Sequence, residues 1–194
     1  MTSQDVSKIF DLEDINDLPS AIMHLLEGDL ERRNEVYREL IRLNGNDMSY
    51  DWFQKLYEFE LAESKQKGQF FTPASLGFLC SALTGQSGHI HEPTAGNGSM
   101  IIADWQQRRN KVAPWDYLPS MNMVTCWDLS ARSIPILLLN LSIRGIMGYV
   151  YHGDVLTMEV KQKYILINRK DDPLAFSEII KANINDVIKQ KHET

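Results

Sequence analysis

The chain has 194 residues, 43% of them apolar and 24% charged, with a net charge of −6. That is the balance of a globular protein long enough for one α/β domain and a small appendage, and no apolar run approaches the ~20 residues that span a bilayer. The negative balance argues against a chain that grips nucleic acid alone, because backbone binding is driven by phosphate neutralisation.

The first residues, MTSQDVSKIF, carry no basic-then-apolar leader, so the cytoplasm is the expected compartment. The two cysteines, Cys80 and Cys126, fit reduced thiols better than a disulfide framework.

Residues 1–66 read as a helical region and residues 67–194 as the main domain. Apolar residues recur on a helical period over 18–28. The next helix, 29–45, opens at Asp29 as N-cap and closes at Gly45. A third, 49–65, opens near Ser49 and sets Trp52, Leu56 and Phe59 along one side. Residues 1–66 together are read as a helical cap on the main domain, with a partner-docking face as the alternative.

From residue 67 the texture changes. A loop, KGQFFTP, leads into a helix over 74–85. Strand signals at 89–92, 122–128, 148–154 and 163–168 then alternate with helix signals at 99–109 and 133–145. Residues 107–121, with Pro114 and Pro119, form an enlarged loop, and 173–191 read as a closing helix. Strands alternating with helices predict crossover units and a mainly parallel sheet.

The first strand runs into EPTAGNGSM, residues 92–100. Glycines at 96 and 98 let backbone pass close to a bound molecule, and the following helix turns its free N–H groups toward the same space. Gly-x-Gly alone is weak evidence, since tight strand–helix turns use glycine anyway. No third glycine or Lys-Ser/Thr pair follows, which disfavours a phosphate-gripping loop. The second strand ends at Asp128, placed to accept from ribose hydroxyls, and the third ends at Asp154. Three successive strands thus finish with a carboxylate: Glu92, Asp128 and Asp154. Polar strand ends meeting water is the plain alternative. Asn140 is read as a tie between helix and loop. His89 and His91, without a third ligand, are read as structural, and no metal site is expected.

In order, GQFFTP, EPTAGNGSM, WDLSARS, NLSIRGI and GDVL resemble the N6-adenine DNA methyltransferases, nearest to the modification subunits of type I restriction systems. The likeness runs over about residues 50–168. It implies a Rossmann-like α/β methyltransferase fold and S-adenosylmethionine as cofactor. Carried over, Gln69, Phe70, Phe71 and Thr72 lie against the methionine end of the cofactor. Glu92, Thr94, Gly96 and Gly98 form the glycine-rich turn. Asp128 binds the ribose and Asp154 the adenine amino group, with Leu129 and Val155 flanking the ring.

In such enzymes an Asn-Pro-Pro-aromatic motif follows the fourth strand and holds a flipped adenine. Here that strand ends YILINRKDDPLAF. Asn168 stands in the catalytic position, Arg169 and Lys170 replace the prolines, and Asp171 replaces the aromatic. Four strands instead of seven, and no target-recognition segment, leave the cofactor-binding half. The expectation is therefore an S-adenosylmethionine-binding protein, impaired or partner-dependent in methyl transfer. The alternative is a non-catalytic regulator or decoy of a restriction–modification complex. DNA contact would come through a partner subunit, and an unpaired sheet edge predicts self-association or a partner strand.

Overall fold

Two of the N-terminal helices, α1 and α3, begin where the chain offers a side-chain acceptor for free backbone N–H groups. In α1 (Ser3–Phe10), Thr2 and Asp5 form a reciprocal capping box. The second helix, α2 (Leu18–Glu27), carries Pro19 in its first turn, where a missing N–H costs nothing. Asp29 caps α3 (Leu30–Leu43) by accepting from the Arg32 N–H at 2.9 Å. The computed structural model describes residues 1–54, 74–84 and 88–183.

The remaining described α-helices and strands are α4 (Ala74–Thr84), β1 (Ile90–Glu92), α5 (Ser99–Arg109), β2 (Val124–Asp128), α6 (Ser133–Ile143), β3 (Gly148–Asp154), β4 (Glu159–Ile167) and β5 (Glu178–Lys181). The strands build one five-stranded sheet in the order β1-β2-β3-β4-β5. Val124, Cys126, Val150, Tyr164 and Leu166 share one hydrophobic cluster with α6 and with Leu18, Ile22, Tyr37 and Leu40 of the N-terminal helices. From Ile134 to Ile143, helix α6 is apolar on every side apart from Asn140 and Ser142, and every residue of this span is buried, as such a helix must be.

Strands β1, β2 and β3 are parallel, as expected, but β4 and β5 are antiparallel additions, so the sheet is mixed and has five strands rather than four. The cause lies in chain length. Only residues 155–158 join β3 to β4, which suffices for a hairpin and not for a crossover. The closing helix expected over 173–191 is also corrected. Residues 178–181 pair with β4, where Ile179 opposes Leu166 and packs against the core cluster and Ile180 opposes Ile165; β-branched residues offered an available ladder override the helical period. Residues 184–191 of that span lie outside the described residues. The helix expected from Ser49 begins later: 49–53 are non-helical, with the Asp51 side chain accepting from the Phe53 N–H at 2.9 Å. Leu56 and Phe59 lie outside the described residues. Among the described residues, no helix is long and apolar enough to cross a membrane.

Candidate functional site

Parallel strands β1–β3 send their carboxyl ends, Glu92, Asp128 and Asp154, toward one edge of the sheet. The register is staggered: Glu92 pairs with Cys126, and Asp128 pairs with His152. Each tip therefore reaches two residues beyond its neighbour.

The glycine turn is fastened to the second of these tips. The Ala95 N–H donates to the Trp127 carbonyl at 2.8 Å, and the Gly96 N–H donates to Asp128 Oδ2 at 2.8 Å. Asp128 Oδ1 accepts from the Ser130 N–H at 2.8 Å. Both glycines are left-handed, with φ of 54° at Gly96 and 94° at Gly98. Their surroundings differ. A Cβ at Gly98 would meet Leu137 Cδ1 at 2.9 Å, whereas one at Gly96 would meet nothing within 4 Å. Gly98 thus serves helix packing, and Gly96 faces open space.

A cavity of about 500 Å³ opens beside this turn, lined by Thr94, Asp128, Leu129, Asp154, Val155 and neighbouring residues including Leu156. That volume lies within the range of small-molecule sites. Asp154 Oδ1 accepts from the Leu156 N–H at 2.8 Å, which shapes the start of the β3–β4 hairpin and holds the carboxylate at the rim. Leu129 and Leu156 are 57% and 91% exposed, large apolar side chains that water would not choose. Two acids, a bare turn and an apolar rim suit a nucleoside-like ligand with a polar diol. Asp128 already accepts two N–H bonds, but a carboxylate offers about four lone-pair sites, so it retains capacity.

Glu92 parts from the group. Its Oε1 accepts from the Thr94 N–H at 3.2 Å and from Thr94 Oγ1 at 3.4 Å, and it lines a separate groove with Ser81, Asp104 and Arg108. Gln69, Phe70, Phe71 and Thr72 lie outside the described residues. Asn168 lies at the other end of the sheet, because antiparallel β4 carries it back beside the start of β3. It is 2% exposed, and its amide donates to the carbonyls of Asp172 (2.7 Å), Ala175 (3.2 Å) and Gly145 (3.4 Å). Its geometry is that of a loop anchor. Asp171, at the aromatic's position, likewise binds Ser120 through both oxygens.

Behind the turn sits a buried network that the spacing of motifs did not reveal. Asn140 Nδ2 donates to Asp51 Oδ1 and to the Asn97 carbonyl, each at 2.9 Å. The expected tie between helix and loop is this one. Arg144 donates to the carbonyls of Asn140, Met48 and Tyr50 and lies over the Trp52 ring at 5.0 Å. Burial pushes the Asp51 carboxyl up, against hydrogen bonds from Asn140 and Phe53 and the charge of Arg144. Burial pulls the Arg144 guanidinium down to about 10, opposed by Asp51. Asp51 Oδ2 and Asn97 Nδ2 are both buried without a bond of good geometry, although the Asn97 amide is near enough to pull on Asp51. The only sequence signal is Asp51 two residues before Phe53, the spacing of a local turn. Next to Asp128 in the ladder, His152 is held below its ordinary pKa by burial and by the charge of Lys161. Among the described residues, no group of three or more His, Cys, Asp or Glu side chains is placed to hold a metal ion.

The architecture is the Rossmann-like mixed α/β fold of S-adenosylmethionine-dependent methyltransferases, with a helical N-terminal region. Residues 48–171 match the family model described as N-6 DNA Methylase, so the chain belongs to that family. Among solved structures it is similar to a candidate class I S-adenosylmethionine-dependent methyltransferase from Listeria monocytogenes, at 14% identity and a TM-score of 0.46, over 77% of this chain and 52% of that one. It thus spans about half the length of that relative. Among curated proteins, none matches.

Proposed function

We propose that this chain binds S-adenosylmethionine at the carboxyl ends of β2 and β3 and, by itself, transfers no methyl group to adenine. The observation that carries the reading is the cavity of about 500 Å³, which gathers Thr94, Asp128, Leu129, Asp154 and Val155; Gly96 stands outside its lining, bonded to Asp128. In this reading Asp128 accepts from the ribose hydroxyls and Asp154 from the adenine amino group, while Leu129 and Val155 cover the ring. The free N–H groups of the first turn of α5 face the anionic end, while the Gly98 N–H closes the turn on the Ala95 carbonyl. When bound, the cofactor supplies an activated methyl group. The residues named here bind and orient; none accepts a proton. Residues 67–194 are the cofactor-binding domain, and residues 1–66 support it.

The second half of the proposal rests on Asn168. An acceptor for the target amine has to sit near the cofactor, since alignment supplies much of the rate. Asn168 sits at the opposite end of the strands with its amide engaged by three carbonyls. The motif series GQFFTP, EPTAGNGSM, WDLSARS and GDVL supports kinship to type I modification subunits. A regulator or decoy of such a complex fits better than an independent enzyme, with DNA contacts coming from a partner.

Calorimetric titration of the full chain with S-adenosylmethionine tests the pocket. Saturable heat with one site, lost in Asp128→Ala, is the expected result; absence of heat at millimolar cofactor refutes binding. Labelled methyl transfer to mixed-sequence DNA tests the chemistry. Incorporation by the isolated chain that disappears in Asn168→Ala refutes the non-catalytic reading.

A further inference from the structure

The inward face of α3 carries Arg33, Val36, Tyr37 and Leu40, all buried. An arginine at the first position of a core stripe is out of place by composition alone, because a guanidinium enters a protein interior only when paired. The chain's other two buried arginines obey that rule. Arg108 donates to Asp104 and to the Gly88 carbonyl, and Arg144 to three carbonyls. Arg33 is 3% exposed, its Nε is buried without a partner, and among the described residues no ion pair or side-chain hydrogen bond engages it. The Tyr37 ring lies 5.5 Å from the guanidinium carbon, a cation–π contact that steadies the charge but supplies no counter-ion.

Arg33 lines a cavity of about 420 Å³ between the α2–α3 corner and the β4–β5 edge, far from the glycine turn. The other charges at this cavity are already matched. Lys181 pairs with Glu27 at 3.1 Å, and Glu178 pairs with Arg169 at 2.7 Å. Met23, Leu26 and Ile179 supply apolar wall. One guanidinium without a counter-ion therefore faces a partly apolar chamber.

We propose that this cavity is a binding site for a small monocarboxylate with an apolar body, its carboxylate on Arg33 and its hydrocarbon against Met23, Leu26 and Ile179. A planar guanidinium matches a carboxylate by two parallel hydrogen bonds. Phosphate is the poorer fit, because Glu27 and Glu178 repel a dianion and the apolar wall gives it nothing. The site stands apart from the proposed cofactor pocket and does not depend on it.

The test titrates the full chain with sodium hexanoate and with benzoate, against sodium chloride at equal ionic strength. The expected result is a saturable rise in melting temperature and a shift of the Arg33 Nε–H resonance. Arg33→Met, which keeps the bulk and removes the charge, should melt at or above wild type and lose the response. Arg33→Lys should bind at least tenfold more weakly, since it lacks the fork. An unmoved Arg33 resonance in the wild type overturns the proposal without recourse to any variant. So does a hexanoate response that survives in Arg33→Met, or inorganic phosphate binding as tightly as hexanoate.

Discussion

Replacing Asp128 with alanine separates the two jobs that this carboxylate has. Its first job is internal: it accepts the Gly96 N–H through Oδ2 and the Ser130 N–H through Oδ1, both at 2.8 Å. Hydrogen bonds to a charged acceptor are worth about 1.5–3 kcal/mol each. Water reaches this half-buried rim and replaces part of what is lost, so the expected destabilisation is about 2 kcal/mol. For a chain of this length that lowers the melting temperature by about 4–8 °C. The second job is the ligand: losing a charged acceptor for the diol should weaken S-adenosylmethionine by about 1.5–3 kcal/mol, or roughly 10- to 150-fold. Thermal denaturation measures the first effect and calorimetric titration, run well below the melting temperature, measures the second. Unchanged stability would mean the turn is not held by this residue. Unchanged affinity with reduced stability would refute the placement of the cofactor over β2.

The two glycines should behave differently. Gly98→Ala drives a Cβ to 2.9 Å from Leu137 at φ 94° and should destabilise by about 2–3 kcal/mol in chemical denaturation. Gly96→Ala meets no atom, so it should cost only about 1 kcal/mol of left-handed strain while reducing cofactor affinity in calorimetry. Asn168→Ala removes an amide serving three carbonyls and should cost about 2–3 kcal/mol in the same denaturation assay, with cofactor affinity unaltered. His152 gives a pH signature. Its folded pKa is held below the ordinary ~6.5, so the unfolded chain takes up a proton first as the pH falls. Its contribution to stability is therefore present above about pH 6.5 and lost below it, and His152→Gln should flatten the slope of denaturation midpoint against pH as the pH falls below about 6.5.

Much of this was legible because local rules and tertiary needs agree. The bounds of α5 and β3 match the periodic runs at 99–109 and 148–154, and Asp29 caps α3 as its position implies. Asp128 is where strand, acid and turn signals coincide, and the cavity forms there. Reading failed where a distant partner decides. Residues 173–181 carry a helical period, but the free side of β4 recruits four of them as a strand. The resemblance sets Asn168 in a motif position, but it does not carry the direction of β4, which the hairpin at 155–158 turns back along β3. Glu92 was grouped with the other acids by position along its strand, a criterion blind to the side chain's turn back onto Thr94. Asp51, Asn140 and Arg144 lie far apart in sequence, and no period or spacing announces a network assembled from three unrelated segments.

The five described strands stand side by side in the same order as they occur along the chain. No strand has to be threaded between two that are already joined, so the sheet can grow outward from β1 as synthesis proceeds. The N-terminal helices are the exception, for the cluster that buries Leu18, Ile22, Tyr37 and Leu40 is completed by α6 and by strands β2 to β4, all of them made later. A nascent chain halted before residue 133 would hold helices α1 to α3 without α6 to pack on, and that is the stage at which a chaperone has most to do.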